Sequence, residues 1–435
     1  MTPIDISVLV LAGAVLLILL RLPVAIALGL SAFAGAVALL PLPAAVSIMT
    51  RTPHEFAASW EYSAVPLFLA MGALIVRTGL SDSLFILASR AFARIPGGLA
   101  IATNFAGAAF GAASGSSLAT TIALGRLATP RMLRAGYDPG LATAVTACSG
   151  TMAALIPPSI PLIVYGILAE QSVVRLFFAG ILPGLLTALG YGVMIWIRSV
   201  RHPELAPPPA RDTDEDLPIS WSILALPMIA ILVLGGIYGG WFSPGQAGAV
   251  GTLAVIALSA LQPGVTWPRL REAFADTARQ TASILFVAAG AMMLTRTMAL
   301  TGLPAALASF VADAGLSPAL LLAALSLLFL LLGMILDPFG IMMLAVAVLL
   351  PTLEQAGFNL IWMGIVIVKY IEIGVITPPV GMNVFAAKSI APPSISLTVI
   401  FRGVSWFLVV EMVILVILLT SPELVLWLPD LMTSR

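Results

Sequence analysis

A chain of 435 residues that is 60% hydrophobic, only 9% charged and formally neutral does not have the make-up of a water-soluble domain, in which roughly a quarter of residues carry charge. The neutral balance offers no electrostatic reason to bind nucleic acid, and a single cysteine, Cys148, excludes a disulfide framework within the chain. His54 and His202 stand far apart without companions, and no metal-ligand spacing, glycine-rich phosphate loop, Gly-x-Ser-x-Gly elbow or His-Glu-x-x-His run is present, so the chain is not read as an enzyme.

In chain order, apolar runs at Val8–Leu20, Val24–Leu40 and Leu67–Val76 are candidate spans, since a crossing takes about 20 mostly apolar residues. The first lacks a basic flank and a cleavage site and reads as a retained span. Arg51–Trp60 is short and amphipathic, the pattern of an interfacial helix or a surface loop. From Pro96-Gly97-Gly98 to Arg126 the chain is apolar, rich in small residues and too short for two crossings, with Ser114-Gly115-Ser116-Ser117 near its middle. That predicts a re-entrant hairpin over about 99–125 whose polar tip lies at membrane depth, where it must face protein or a cavity. An apolar helix over about 139–168 follows, interrupted by Pro157-Pro158-Ser159. Two consecutive prolines remove two amide donors and push the preceding residue out of helix, which frees carbonyls around Ala153–Ile156.

After the candidate span Phe177–Ile197, residues 198–220 are polar, with Pro207-Pro208-Pro209 and an acidic run from Asp212 to Asp216. They read as an aqueous linker. Further spans are expected at Ile223–Tyr238 and Ala247–Leu261, and a second amphipathic, interfacial stretch at Trp267–Gln280. A second hairpin is expected over about 318–351, centred on Asp337-Pro338, and a second interrupted helix over about 360–388, broken at Thr377-Pro378-Pro379-Val380-Gly381. The break frees carbonyls around Gly374–Thr377. Thr151, Ser159, Thr377 and Asn383 add side-chain oxygens, and oxygens of this kind suit a hard monovalent cation such as Na⁺. Val404–Leu419 is the last candidate span.

A shift of 221 positions places Pro23 on Pro244, Met71 on Met292, Pro130 on Pro351, Ala135-Gly136-Tyr137-Asp138 on Ala356-Gly357-Phe358-Asn359, Pro157-Pro158 on Pro378-Pro379 and Ser116 on Asp337. The chain therefore reads as a repeat, residues 1–197 and 221–435, as transporters often do. Basic residues collect in cytoplasmic loops. Arg126, Arg131 and Arg134 in the first copy correspond to uncharged Ala347, Thr352 and Gln355 in the second. The copies are thus expected to be inverted, with the N-terminus outside and the linker in the cytoplasm. That threading keeps most of the 20 basic residues inside and leaves Arg51, Arg175, Arg296, Lys369 and Arg435 outside or within the membrane.

Two sets of charges in apolar surroundings call for a role. Asp337 is either a cation ligand or a cap that holds the hairpin turn. Lys369 and Glu372, three apart on one helix, are either a structural pair, a pair facing an aqueous cleft, or part of the transport site.

The runs Gly111-Ala-Ala-Ser-Gly-Ser-Ser117, Arg134-Ala-Gly-Tyr-Asp-Pro139, Ile156-Pro-Pro-Ser-Ile-Pro161, Gly180-Ile-Leu-Pro-Gly184, Met334-Ile-Leu-Asp-Pro338 and Thr377-Pro-Pro-Val-Gly-Met-Asn383 resemble the large membrane subunit, DctM-type, of the tripartite ATP-independent periplasmic (TRAP) transporters. The resemblance covers essentially the whole chain. It implies an all-α polytopic protein of the bacterial inner membrane with scaffold and transport domains working as an elevator. It implies Na⁺-driven import of an organic acid, usually a carboxylate such as a C4-dicarboxylate or a sugar acid. Two partners are implied, a small four-helix membrane subunit (DctQ-type) and a periplasmic solute-binding protein (DctP-type). Carried over by motif, Ser114, Gly115, Ser116 and Ser117 with Ala153, Ile156 and Pro158 would form one Na⁺ site. Asp337 and Pro338 with Gly374, Thr377 and Val380 would form a second. Substrate contacts would come from the first tip, Ser159 and Asn383. The family pattern places Gly near Ala153, so the first ion site departs from it. The competing functions are a single-component Na⁺/anion symporter and a channel; a channel is disfavoured because two half-depth hairpins suit alternating access better than a continuous pore.

Overall fold

The computed structural model describes residues 1–80, 82–207, 221–262, 265–314, 317–334 and 336–433. The acidic and proline-rich part of the linker, and Arg435, lie outside the described residues. The described chain is helical with no strand. Its α-helices are α1 (Pro3–Leu19), α2 (Val24–Leu39), α3 (Leu42–Ala58), α4 (Ala64–Thr78), α5 (Asp82–Ala91), α6 (Gly98–Ser114), α7 (Ser117–Arg134), α8 (Pro139–Thr151), α9 (Ile160–Leu168) and α10 (Val173–Arg201). After the linker come α11 (Ala225–Tyr238), α12 (Pro244–Ala260), α13 (Trp267–Thr301), α14 (Leu303–Asp313), α15 (Pro318–Gly333), α16 (Pro338–Leu344), α17 (Leu350–Gln355), α18 (Leu360–Gly374), α19 (Met382–Ile390), α20 (Leu397–Thr420) and α21 (Pro422–Thr433).

Helices α11 to α20 follow α1 to α10 in the same order at the 221-residue shift, with two departures. The α3–α4 pair is interrupted at an extended Ser59, followed by a 3₁₀ turn at Trp60–Ser63. Its counterpart α13 has no proline after its first turn and runs on for 35 residues, about 50 Å at 1.5 Å per residue. The amphipathic stretch 267–280 is therefore the first part of a long helix and not a separate interfacial one. The second departure is in the second hairpin, where a π-helical turn at Ala345–Leu349 separates α16 from α17. The return arm of the first hairpin, α7, continues to Arg134, past the expected end near 125.

Among the described residues five segments are long and apolar enough to cross a membrane: Trp60–Thr78, Val173–Arg201, Trp267–Thr301, Pro338–Gln355 and Leu397–Thr420. The remaining expected spans lie in shorter apolar helices, α1, α2, α11 and α12. Their outward faces expose Leu16, Leu30, Ile231 and Leu253, apolar area on a scale that calls for lipid.

Small residues let these helices approach closely. In one packing group, α13 lies against α2 and α4, and α12 against α4. A Cβ on Gly290 would sit 2.6 Å from the carbonyl oxygen of Ala25. In the other group the hairpins and interrupted helices pack on one another, α8 against α6, α7 and α20 and α18 against α15. A Cβ on Gly403 would meet the carbonyl oxygen of Gly140 at 2.2 Å. The hydroxyls of Thr143, Thr146 and Ser149 along α8 are turned back onto Pro139, Ala142 and Val145 carbonyls, which satisfies them without water.

Candidate functional site

The first hairpin turns in two residues. Gly115 adopts φ +62°, a left-handed conformation that glycine takes without strain, and Ser116 is the extended cap of α7, its Oγ accepting from Ala119 N at 3.4 Å. This tip is packed onto the first helix break. A Cβ on Gly115 would lie 3.0 Å from the Pro158 carbonyl oxygen, and one on Gly111 would lie 2.8 Å from Ala153 Cα. Ser117 Oγ donates to Thr151 O at 3.5 Å. Ser114 is buried, with its Oγ 2.7 Å from Thr120 Oγ1 and accepting from Ser116 N.

The departure at Ala153 has a structural counterpart. Ala153 faces Gly111, whereas its equivalent Gly374 faces Gly333, a Cβ on Gly374 falling 2.7 Å from Gly333 Cα. In the first copy the hairpin alone supplies the small residue at the contact; in the second both sides do.

The first break runs from a 3₁₀ turn at Met152–Ala154 to Ser159. Ser159 Oγ donates to Ala154 O at 2.5 Å and accepts from Leu162 N at 3.3 Å, so it both spans the break and caps α9. Ile156 packs against Gly184 of α10. Pro157–Pro158 and Pro378–Pro379 are both cis. In the second break, the Thr377 hydroxyl donates to Ile373 O at 2.6 Å, Val380 is exposed, and Asn383 Nδ2 reaches Ala147 O of α8 at 3.3 Å. At the second tip, Asp337 caps α16 by accepting from Phe339 N and Gly340 N, each at 3.1 Å.

A cavity of about 860 Å³ opens between these parts. Gly115, Ser116 and Ser117 of the first tip and Asp337 and Pro338 of the second line it, together with Ala154 beside the first break and Val375 and Asn383 beside the second. Ser114, Ala153, Ile156, Pro158, Ser159, Gly374, Thr377 and Val380 are not among its lining residues. One side carries Arg77, whose guanidinium bonds Asp276 at 2.9 Å and Glu272 at 2.8 Å on α13. Among the described residues no group of three His, Cys, Asp or Glu is placed to hold a metal ion; the oxygens around the cavity are hydroxyl, carbonyl and single carboxylate groups.

Behind the wall, Lys369 and Glu372 of α18 form an ion pair at 2.9 Å, and Lys369 also meets Glu411 of α20 at 2.5 Å. Glu372 is itself a lining residue of the cavity. Sequence reading finds the first pair but not Glu411, Thr187 or Tyr191, which complete the cluster from α20 and α10. The available signal was a lone acid, Glu411, within an apolar transmembrane helix.

Asp337 separates its two readings by substitution. Asp337→Ala removes the cap and is expected to cost about 1 kcal/mol of stability. Asp337→Asn keeps an accepting oxygen for Phe339 N and Gly340 N but removes the charge, so it is expected to keep most of the stability while weakening any Na⁺-dependent stabilisation. Thermal unfolding of both variants with and without Na⁺ checks this; an Asn variant with the full Na⁺ response leaves Asp337 as a cap alone.

Residues 11–424 match the family described as tripartite ATP-independent periplasmic transporter, DctM component. The chain is 33% identical over 379 residues to the C4-dicarboxylate TRAP transporter large permease protein DctM of Pseudomonas aeruginosa, covering 86% of this chain and 88% of that one. It is 31% identical over 384 residues to the ectoine/5-hydroxyectoine TRAP transporter large permease protein of Ruegeria pomeroyi, covering 86% of each. Among solved structures it shares its fold with the YdaH transporter of Alcanivorax borkumensis, with a TM-score of 0.60 at 16% identity over 88% of this chain and 89% of that one. The two permease relatives are named as transporter components and not as enzymes. The cavity between paired hairpins and interrupted helices is set in a chain that belongs to the DctM family, the multi-pass large permease component of tripartite ATP-independent periplasmic transporters.

Proposed function

We propose that this chain is the translocating subunit of a Na⁺-driven importer of a small organic acid in the bacterial inner membrane. The observation that carries the reading is a cavity lined by both polar tips and by residues flanking both helix breaks. The first residues of α7, from Ser117 to Ala119, line it, and a helix N-terminus favours a carboxylate. The carbonyls released at the two breaks, with Ser116, Ser117 and Asp337, are the candidate cation ligands. The two copies are inverted, with the N-terminus periplasmic and the linker cytoplasmic, as the asymmetry of basic residues indicates. The hairpins and interrupted helices slide as an elevator against a scaffold built around α1–α4 and α11–α13. The chain works with a four-helix membrane subunit and a periplasmic solute-binding protein. The names of the relatives include C4-dicarboxylate, sialic acid, ectoine and isethionate transporters, which supports a small organic acid as the cargo.

Ion coupling is tested by thermal unfolding of the full chain. A ligand that binds only the folded state stabilises it by RT ln(1 + [L]/Kd), about 2.7 kcal/mol at a hundred times Kd. NaCl is expected to raise the unfolding temperature more than KCl at equal ionic strength; equal shifts remove Na⁺ coupling from the proposal. Uptake by vesicles that hold both membrane subunits is expected to need the binding protein. Rapid uptake without it would replace the tripartite reading by a single-component symporter.

A further inference from the structure

Helices α10 and α20 pack as an antiparallel pair. A Cβ on Gly190 would meet Val410 Cγ1 at 2.9 Å, the Tyr191 and Phe407 rings stand edge to face at 4.9 Å, and Arg198 reaches Trp406. Rising numbers on α10 thus meet falling numbers on α20, and the linker end of α10 lies beside the start of α20. Above that end the outward surface is apolar. Val193 of α10 and Trp406, Val409 and Val413 of α20 are exposed, and the last three fall on one face of their helix. Lipid chains are the natural cover for such a stripe.

Arg198 lies where this stripe meets the polar end. Its guanidinium carbon stands 4.6 Å from the centre of the Trp406 ring, within the range of a cation–π contact. The residue is half-buried, and no side chain or carbonyl among the described residues accepts a hydrogen bond from its five N–H donors. The acid in electrostatic reach, Asp138, is engaged as the cap of α8 and accepts from Leu141 N at 2.9 Å. Arg402, one turn from Trp406 on the same face of α20, is exposed and forms no ion pair among the described residues. Arg77, Arg175 and Arg296, by contrast, each meet a carboxylate. Two guanidiniums beside an apolar stripe therefore lack an anion, and the planar fork of arginine matches a phosphate in particular.

We propose that the groove between α10 and α20 binds an anionic glycerophospholipid, its phosphate held by Arg198 and Arg402 and an acyl chain laid along Trp406, Val409 and Val413. Tryptophan favours the level of the headgroups, and basic pockets between transmembrane helices take acidic headgroups. A zwitterionic lipid fits less well, because its headgroup brings a third cation to two that already face one phosphate. A second protein helix fits less well too, since the stripe lacks the small residues that let helices approach closely. The site rests on the chain lying in a bilayer and not on the coupling ion or the cargo, so its failure leaves those readings untouched.

Native mass spectrometry of the full chain in a nonionic detergent, titrated with dioleoyl phosphatidylglycerol or dioleoyl phosphatidylcholine, tests this. The first phosphatidylglycerol is expected to bind more tightly than phosphatidylcholine by about fivefold for each guanidinium. Arg198→Gln and Arg402→Gln are each expected to weaken it by about that factor, and Arg198→Lys to recover part of the loss. Arg271→Gln, an exposed arginine of α13 in the other packing group, is expected to change nothing. Equal affinity of the wild type for the two lipids overturns the proposal without recourse to any variant, and so does an unchanged preference in both glutamine variants. Glycerol phosphate, a headgroup without chains, is expected not to displace the lipid; displacement at equal concentration makes the groove an anion site alone and overturns the lipid assignment. A lipid-free dimer that Arg402→Gln dissolves makes the face a contact between copies and overturns it too.

Discussion

Lys369→Met is expected to destabilise the folded chain by about 3–5 kcal/mol, the range found when one partner of a buried ion pair is removed. Methionine fills much of the volume of the lysine stem, so the loss is electrostatic and not a cavity effect. What remains is Glu372 and Glu411 facing each other with no cation, both fully enclosed. Thr187 also loses the donor that its Oγ1 accepts. Lys369→Arg keeps the charge but cannot place a planar fork where a compact ammonium meets three acceptors, so it is expected to recover only part of the stability. Thermal unfolding in detergent measures both variants. A change below about 1 kcal/mol, the scale of an exposed pair, would show that the cluster is hydrated and not sealed.

Gly374→Ala is expected to cost about 1–3 kcal/mol, as overpacking does, and to abolish uptake. The added methyl would lie 2.7–2.8 Å from Gly333 Cα, C and O. Those are backbone atoms, so no side chain can swing away, and α15 must move off α18. That motion pulls the second hairpin from the second break and displaces Asp337 from the cavity wall. Gly235→Ala on α11 is the control. Nothing lies within 4 Å of its added Cβ, and a helical Ala is more stable than Gly by up to about 1 kcal/mol. The paired comparison reads helix separation apart from helix propensity. Wild-type uptake in Gly374→Ala would show that the hairpin and the interrupted helix need not stay in register.

The sequence by itself determined which segments are helical, where they break and that the helix order recurs. Proline cannot donate an amide hydrogen bond, and its effect on the chain is local, so Pro157-Pro158 and Pro378-Pro379 mark the breaks without tertiary context. Apolar composition likewise announces a lipid solvent. The length of α13 was less legible, because the charged residues at 267–280 suggest an interfacial segment while nothing in the backbone stops the helix there. Only the tertiary structure decided which polar atoms meet. Ser114 and Ser159 read from sequence as substrate contacts, yet their hydroxyls are engaged by Thr120 and by Ala154 and Leu162, while Ser116, Ser117, Asp337 and Asn383 line the cavity. Lys369 and Glu372 are visible as neighbours because they share one helix. Glu411 and Tyr191 join them only through packing between helices, which depends on where small residues let backbones approach and so is set by the whole fold and not by spacing along the chain.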